Sequence, residues 1–155
     1  MALAKRSILV VILVFSILVL VWPRSLSTPR IFLNQRRAIL SIEDVSLAER
    51  KYAARHPETG YACNLSDLGE QGSEVGLVDR VLAFGTKAGY HFEIQCPQRE
   101  SQKVAHYAII ATPVNPGTTG RYALCTDQSR EIWYSENGLA SDCLAMHKPV
   151  ERNHK

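Results

Sequence analysis

Residues Ser7 to Trp22, SILVVILVFSILVLVW, form one apolar, uncharged run directly behind Lys5 and Arg6, and no later stretch resembles it. At about 1.5 Å per residue a helix over this run reaches roughly 24 Å, slightly short of a hydrocarbon core of about 30 Å. Leu3 and Ala4 extend it, with Lys5 and Arg6 snorkelling to the interface. Two fates fit. One is an uncleaved membrane anchor over residues 1–22, contacting lipid through residues 7–22. The other is a cleaved signal peptide, with Ser25-Leu26-Ser27 as a small-x-small cleavage site. A buried core helix fits worst, because Ile, Leu and Val cover every side and leave no polar face.

The charges around the run disagree with the cysteines about orientation. Arg24, Arg30, Arg36 and Arg37 stand close behind the run, and the positive-inside rule alone keeps the C-terminal part of the chain in the cytoplasm. Cys63, Cys96, Cys125 and Cys143 make an even set without a Cys-x-x-Cys pair, which suits two disulfides in an oxidising compartment. The cysteines set the expectation: a single-pass protein of a bacterial inner membrane with its C-terminal domain outside the cytoplasm, or a secreted domain after cleavage.

Residues 23–30 (PRSLSTPR) form a linker punctuated by Pro23 and Pro29. About 125 residues remain, one ordinary domain. It is placed at 31–148, with 149–155 as a charged, flexible tail. The net charge of +3 is small, and no later segment interleaves Lys and Arg with aromatics, so no nucleic-acid partner is expected.

An amphipathic helix is predicted from Ile31 to Arg55. Ala38, Ile42, Val45, Ala48 and Tyr52 form its apolar stripe, and Arg36, Arg37, Glu43, Asp44, Glu49 and Arg50 lie largely off it. Pro57 ends the helix near His56, since the residue before a proline avoids the α conformation. Residues 58–76 read as a loop with a short turn at Leu65 to Leu68. A second helix is expected from Glu74 to Phe84, with Leu77, Val78, Val81 and Leu82 facing inward and Gly85 as its C-cap.

The period then changes to two. Tyr90 to Cys96 alternates apolar and polar side chains, as a half-buried strand does. Further strands are predicted over His106–Thr112, Tyr122–Thr126 and Glu131–Ser135, with a hairpin turn at Asp127-Gln128-Ser129-Arg130. Connections this short require antiparallel pairing. The fold class expected is therefore α+β: an N-terminal membrane helix, then an amphipathic helix packed across a four-stranded antiparallel meander.

The detailed strings resemble those of type IV pilins and pseudopilins over roughly residues 38–145. They are Ile39-Leu40-Ser41-Ile42 through Arg50-Lys51-Tyr52-Ala53, then Tyr61-Ala62-Cys63-Asn64-Leu65-Ser66-Asp67-Leu68-Gly69. Next come Leu77-Val78-Asp79, Gly85-Thr86-Lys87-Ala88-Gly89-Tyr90 and Thr112-Pro113-Val114-Asn115-Pro116-Gly117-Thr118-Thr119-Gly120. Thr126-Asp127-Gln128-Ser129 and Ile132-Trp133-Tyr134 complete the set. The start departs from the family. Lys5-Arg6-Ser7-Ile8-Leu9-Val10 has neither the Gly that precedes the prepilin cut nor the Glu inside the apolar run. The resemblance implies a pilin-like globular domain on an ordinary anchor, acting as an accessory component with pilus or type II secretion subunits as partners. Four cysteines allow three pairings. The resemblance favours Cys125 with Cys143, stapling the C-terminal segment to the sheet, which leaves Cys63 with Cys96.

Residues that could carry chemistry are few. The cysteines lack the close ligand pairs of zinc sites, so no metal is expected at them. His91 and His106 could face each other on neighbouring strands, although the polar face of a sheet accounts for both. Gly-x-Ser-x-Gly, phosphate-binding glycine loops, His-Glu-x-x-His and dinucleotide fingerprints are missing, so a non-enzymatic protein without cofactor is expected. The alternative is a secreted or anchored ligand-binding module, with specificity in exposed loops at Thr59–Gly76 and Asn115–Gly120.

Overall fold

The computed structural model describes residues 30–70, 75–96 and 103–150. The apolar run, nearly all of the linker and the end of the tail lie outside the described residues, and so do the anchor and signal readings. No helix among the described residues is long and apolar enough to cross a membrane.

Helix α1 spans residues 30–55. Its end is built as the sequence requires. The His56 amide and ring Nδ1 both meet the Tyr52 carbonyl, the amide of Gly60 donates to the His56 carbonyl, and Pro57 bars another turn. Ala38, Ile42, Val45 and Ala48 are fully or almost fully buried. They share one cluster with Tyr90, Phe92, Ile109, Ala111 and Leu124 of the sheet, so the helix stripe covers the meander as expected. One expectation about this helix is corrected. Glu49, placed off the stripe, is 0% exposed. It lies four positions after Val45 and seven after Ile42, on the buried face.

The sheet has five antiparallel strands in the order β1 (Thr86–Lys87), β2 (Tyr90–Gln95), β3 (Ala108–Pro113), β4 (Ala123–Asp127) and β5 (Trp133–Ser135). The expected meander is one strand short of this. The extra strand is a two-residue edge joined to β2 through Ala88 and Gly89, both at positive φ, with Lys87 opposite Tyr90. That is the geometry of a two-residue hairpin turn whose twist matches the strands. A two-residue strand carries no readable alternation. Strand edges also shift: Tyr107 is buried ahead of β3, and β5 starts at Trp133 rather than Glu131. The turn between β4 and β5 forms as expected, with Arg130 N–H donating to the Asp127 carbonyl and Ser129 N–H to the Asp127 side chain.

The second helix is shorter than predicted. α2 covers only Arg80–Ala83, because the Asp79 side chain accepts from the Leu82 amide and caps a helix that begins there. Leu77 and Val78 instead donate both backbone amides to the Leu68 carbonyl, and Val81 faces solvent. The Leu65–Leu68 turn forms as a 3-10 helix with both leucines buried, and Gly85 stands after α2 at φ +81° as its C-terminal stop.

Helix α3, Ala140–Met146, is absent from the sequence-based expectation. It covers the opposite sheet face, where Ile110, Cys125 and Trp133 form a second cluster with Cys143. Ile109 and Ile110 thus enter different clusters, as alternation along β3 demands. The residues after α3 also correct an expectation. Tyr134 donates to the Lys148 carbonyl and Val150 to the Ile132 carbonyl, so the first positions of the supposed flexible tail pair with β5 along its outer edge. Residues 151–155 lie outside the described part.

Candidate functional site

The two disulfides organise the described chain. Cys63 pairs with Cys96, and Cys125 pairs with Cys143. The first ties the loop after α1 to the end of β2. The second joins β4 to α3 and so holds the C-terminal segment against the sheet. No cysteine among the described residues is free.

Beside the first disulfide lies a carboxyl buried in the core. α1 carries Glu49 to the point where the chain returns from Gly60, and its Oε2 accepts a hydrogen bond from the Ala62 amide at 2.9 Å. Its Oε1 has no hydrogen-bond partner. Burial removes the charged form from water, the nearby Asp67 charge acts in the same direction, and the Ala62 bond only partly opposes them. The carboxyl is pushed up from 4.5 to about 7. Tyr107 is buried alongside and packs edge-on against Tyr61 at 4.7 Å between ring centres. Burial and the Glu49 charge raise its hydroxyl well above the ordinary value. Helix, loop and sheet meet here, and Glu49 joins helix to loop one residue ahead of the disulfide. Fully buried, the carboxyl is out of reach of a substrate in this conformation, and through the Ala62 amide it holds the loop to the helix.

Of the loops expected to carry specificity, residues 115–118 of the second are exposed, whereas the first is buried at several positions. Gly60, Ala62, Leu65, Leu68 and Gly69 are all buried within 59–69. Tyr61 N–H donates to the Val104 carbonyl and Val104 N–H to the Thr59 carbonyl, closing the loop onto the strand lead-in. Residues 115–120 form a tight turn with Gly117 at φ +78°, and the Asn34 side chain donates to the Thr119 carbonyl.

Surface clefts lie elsewhere among the described residues, two of them lined by aromatic side chains. One, of about 280 Å³, sits at the C-terminal end of α1 and is lined by the stacked Tyr52 and His56 together with Arg55, Asp67 and Leu77. The other, of about 360 Å³, is bounded by Gln35, Tyr122, Tyr134, Lys148, Pro149 and Val150. Its tyrosine faces carry cations already: Arg121 over Tyr122 and Lys148 over Tyr134.

The histidine pair considered from sequence is not brought together. His91 stands opposite Thr112 in the β2–β3 register, while β3 begins only at Ala108, opposite Gln95 at the far end. His106 precedes the strand. Among the described residues no group of three or more His, Cys, Asp or Glu could hold a metal ion.

The residue that sequence reasoning missed is Glu49, and the signal was present. Ala38, Ile42, Val45, Glu49 and Tyr52 keep the four-three-four-three spacing of a buried face more closely than the same series with Ala48. No protein family, no curated protein and no solved structure matches the chain.

Proposed function

We propose that the chain is a pilin-like structural or assembly protein, held at a bacterial inner membrane by residues 7–22 with its disulfide-stapled domain outside the cytoplasm. In this reading it acts without catalysis, as an accessory component of a type IV pilus or type II secretion system. One observation carries the proposal. A long α1 lies across an antiparallel meander, and the C-terminal segment is stapled to that sheet by Cys125–Cys143. The apolar run ends in sequence only a few positions before α1, which gives such a domain a tether. Two disulfides fit an oxidising compartment and oppose the arginine count.

The test is the intact mass of native protein from separated membrane and soluble fractions, prepared without reductant. Full-length chain in the membrane fraction, lighter than its sequence mass by about four hydrogens for two disulfides, supports the proposal. A soluble species beginning near Thr28 replaces it with a secreted module. Full-length chain with four free thiols overturns the orientation.

A further inference from the structure

The exposed face of α1 has its own pattern, with Glu43 and Leu47 also bordering a cleft of about 340 Å³ shared with Ser129, Arg130 and Ile132. Leu33, Leu40 and Leu47 are 50%, 57% and 48% exposed. They stand seven positions apart, so they form one row that drifts about 20° per step. Isolated exposed leucines are ordinary; these three supply one apolar position per heptad, with charges where a full coiled-coil seam has its second apolar position. Charges flank it in two further rows of the same period. Arg36, Glu43 and Arg50 run along one side, and Arg37, Asp44 and Lys51 along the other, all exposed. Both rows read plus, minus, plus. Glu43 also interacts within its own chain, so the weight falls on Asp44 with Arg37, and Glu43 adds only the sign of its row.

We infer that this face pairs with the same face of a second copy of the chain, antiparallel, with Leu40 against Leu40 of the other copy. The charge rows decide the arrangement. Two parallel copies in register bring Arg36 to Arg37, Glu43 to Asp44 and Arg50 to Lys51, like charges throughout. Parallel copies offset by seven residues match opposite charges but align only two leucine layers. The antiparallel pair centred on Leu40 aligns three layers, Leu33 on Leu47, Leu40 on Leu40 and Leu47 on Leu33. It also sets Arg37 beside Asp44 and Arg36 beside Glu43 on both sides of the two-fold axis. Its only like-charged approach is Arg30 near Lys51 at the exposed ends. The contact is isologous and closes on itself. Buried leucine supplies the attraction, and the charges select the register. Residues 23–29 separate the apolar run from α1 by chain that can extend roughly 25 Å, so an antiparallel pair is compatible with both runs in one bilayer. Only the described helix enters this pairing, which is independent of the pilin-like reading that the mass measurement tests separately.

The experiment uses the full-length chain in detergent, in single-cysteine variants with the four native cysteines left paired. Leu40→Cys is expected to give a covalent dimer on mild oxidation, as is a mixture of Leu33→Cys with Leu47→Cys. Leu33→Cys alone is expected to stay monomeric. Cross-linking of Leu33→Cys with Leu40→Cys in preference to Leu40→Cys with itself would overturn the antiparallel pair in favour of the offset parallel one. A second arm avoids new thiols. Arg37→Asp is expected to weaken self-association at least tenfold by sedimentation equilibrium, and Arg37→Asp with Asp44→Arg to restore it. A wild-type chain that remains monomeric throughout the concentration series, or a double variant no better than the single one, would overturn the proposal.

Discussion

Glu49 couples the stability of the domain to pH. Its folded pKa of about 7 lies above the ordinary 4.5, so the folded chain binds this proton more tightly than the unfolded chain. Its contribution is fully present below about pH 4.5 and is lost as pH rises through about 7, a change on the order of 3 kcal/mol. Glu49→Gln removes that titration and keeps the volume. Urea unfolding is expected to show the variant gaining on wild type by about 3 kcal/mol between pH 4.5 and pH 8. Equal differences at both pH values would show that Glu49 stays ionised in the fold. Gly120 sets a second constraint at this scale. A Cβ there would stand 2.2 Å from the hydroxyl of Tyr90, which is itself fully buried and donates to the Tyr122 carbonyl. The Cβ would also stand 2.4 Å from the ring carbon that bears the hydroxyl, so the buried ring or the turn must shift. Gly120→Ala is expected to cost about 2–3 kcal/mol in the same assay.

At the scale of elements, α3 depends on its staple. Only Cys143 among its residues is fully buried, and its partner Cys125 lies within β4. Seven residues are too few for a helix to persist unaided in water. The bond joins cysteines 18 positions apart, for which roughly 3 kcal/mol is the expected contribution. Replacing Cys125 and Cys143 together by alanine is therefore expected to strip hydrogen-exchange protection from α3 and residues 148–150 first. α1 packs in the other cluster and should keep its protection. Equal loss in both regions would mean that the two faces of the sheet unfold as one unit. The meander was legible because β2 begins with alternating apolar and polar side chains and β3 and β4 carry short apolar runs joined by short connections, whereas β1 is two residues long and offers no period to read. α3 was not legible, because its burial depends on Trp133 and Ile110 across the sheet rather than on a stripe of its own.

For the whole molecule, the sheet edges govern behaviour in solution. One edge is the two-residue β1, too short to template a neighbour, and the other is β5, covered by the backbone of Lys148 and Val150. Removing residues 148–155 uncovers β5 with Trp133 beside the gap. The truncated chain is expected to aggregate at concentrations where the full chain stays dispersed, as monitored by light scattering. Unchanged scattering would show that α3 alone protects the edge.

Local spacing along the chain determined the existence and end of α1, the turn at Leu65–Leu68, the β4–β5 turn and the core of the meander. Each depends on neighbours a few residues apart, through helical period, alternation or the fixed φ of a proline. What lies between distant residues was decided by the tertiary structure. Cys63 found Cys96 and Cys125 found Cys143 because the folded backbone brings their Cα atoms to 5.7 and 6.0 Å. Glu49 became a buried carboxyl because the chain turning back at Gly60 laid Ala62 against it. The last described residues became an edge cover because β5 had unpaired backbone to offer. Burial is a property of what closes over a residue, and that partner can stand anywhere in the chain.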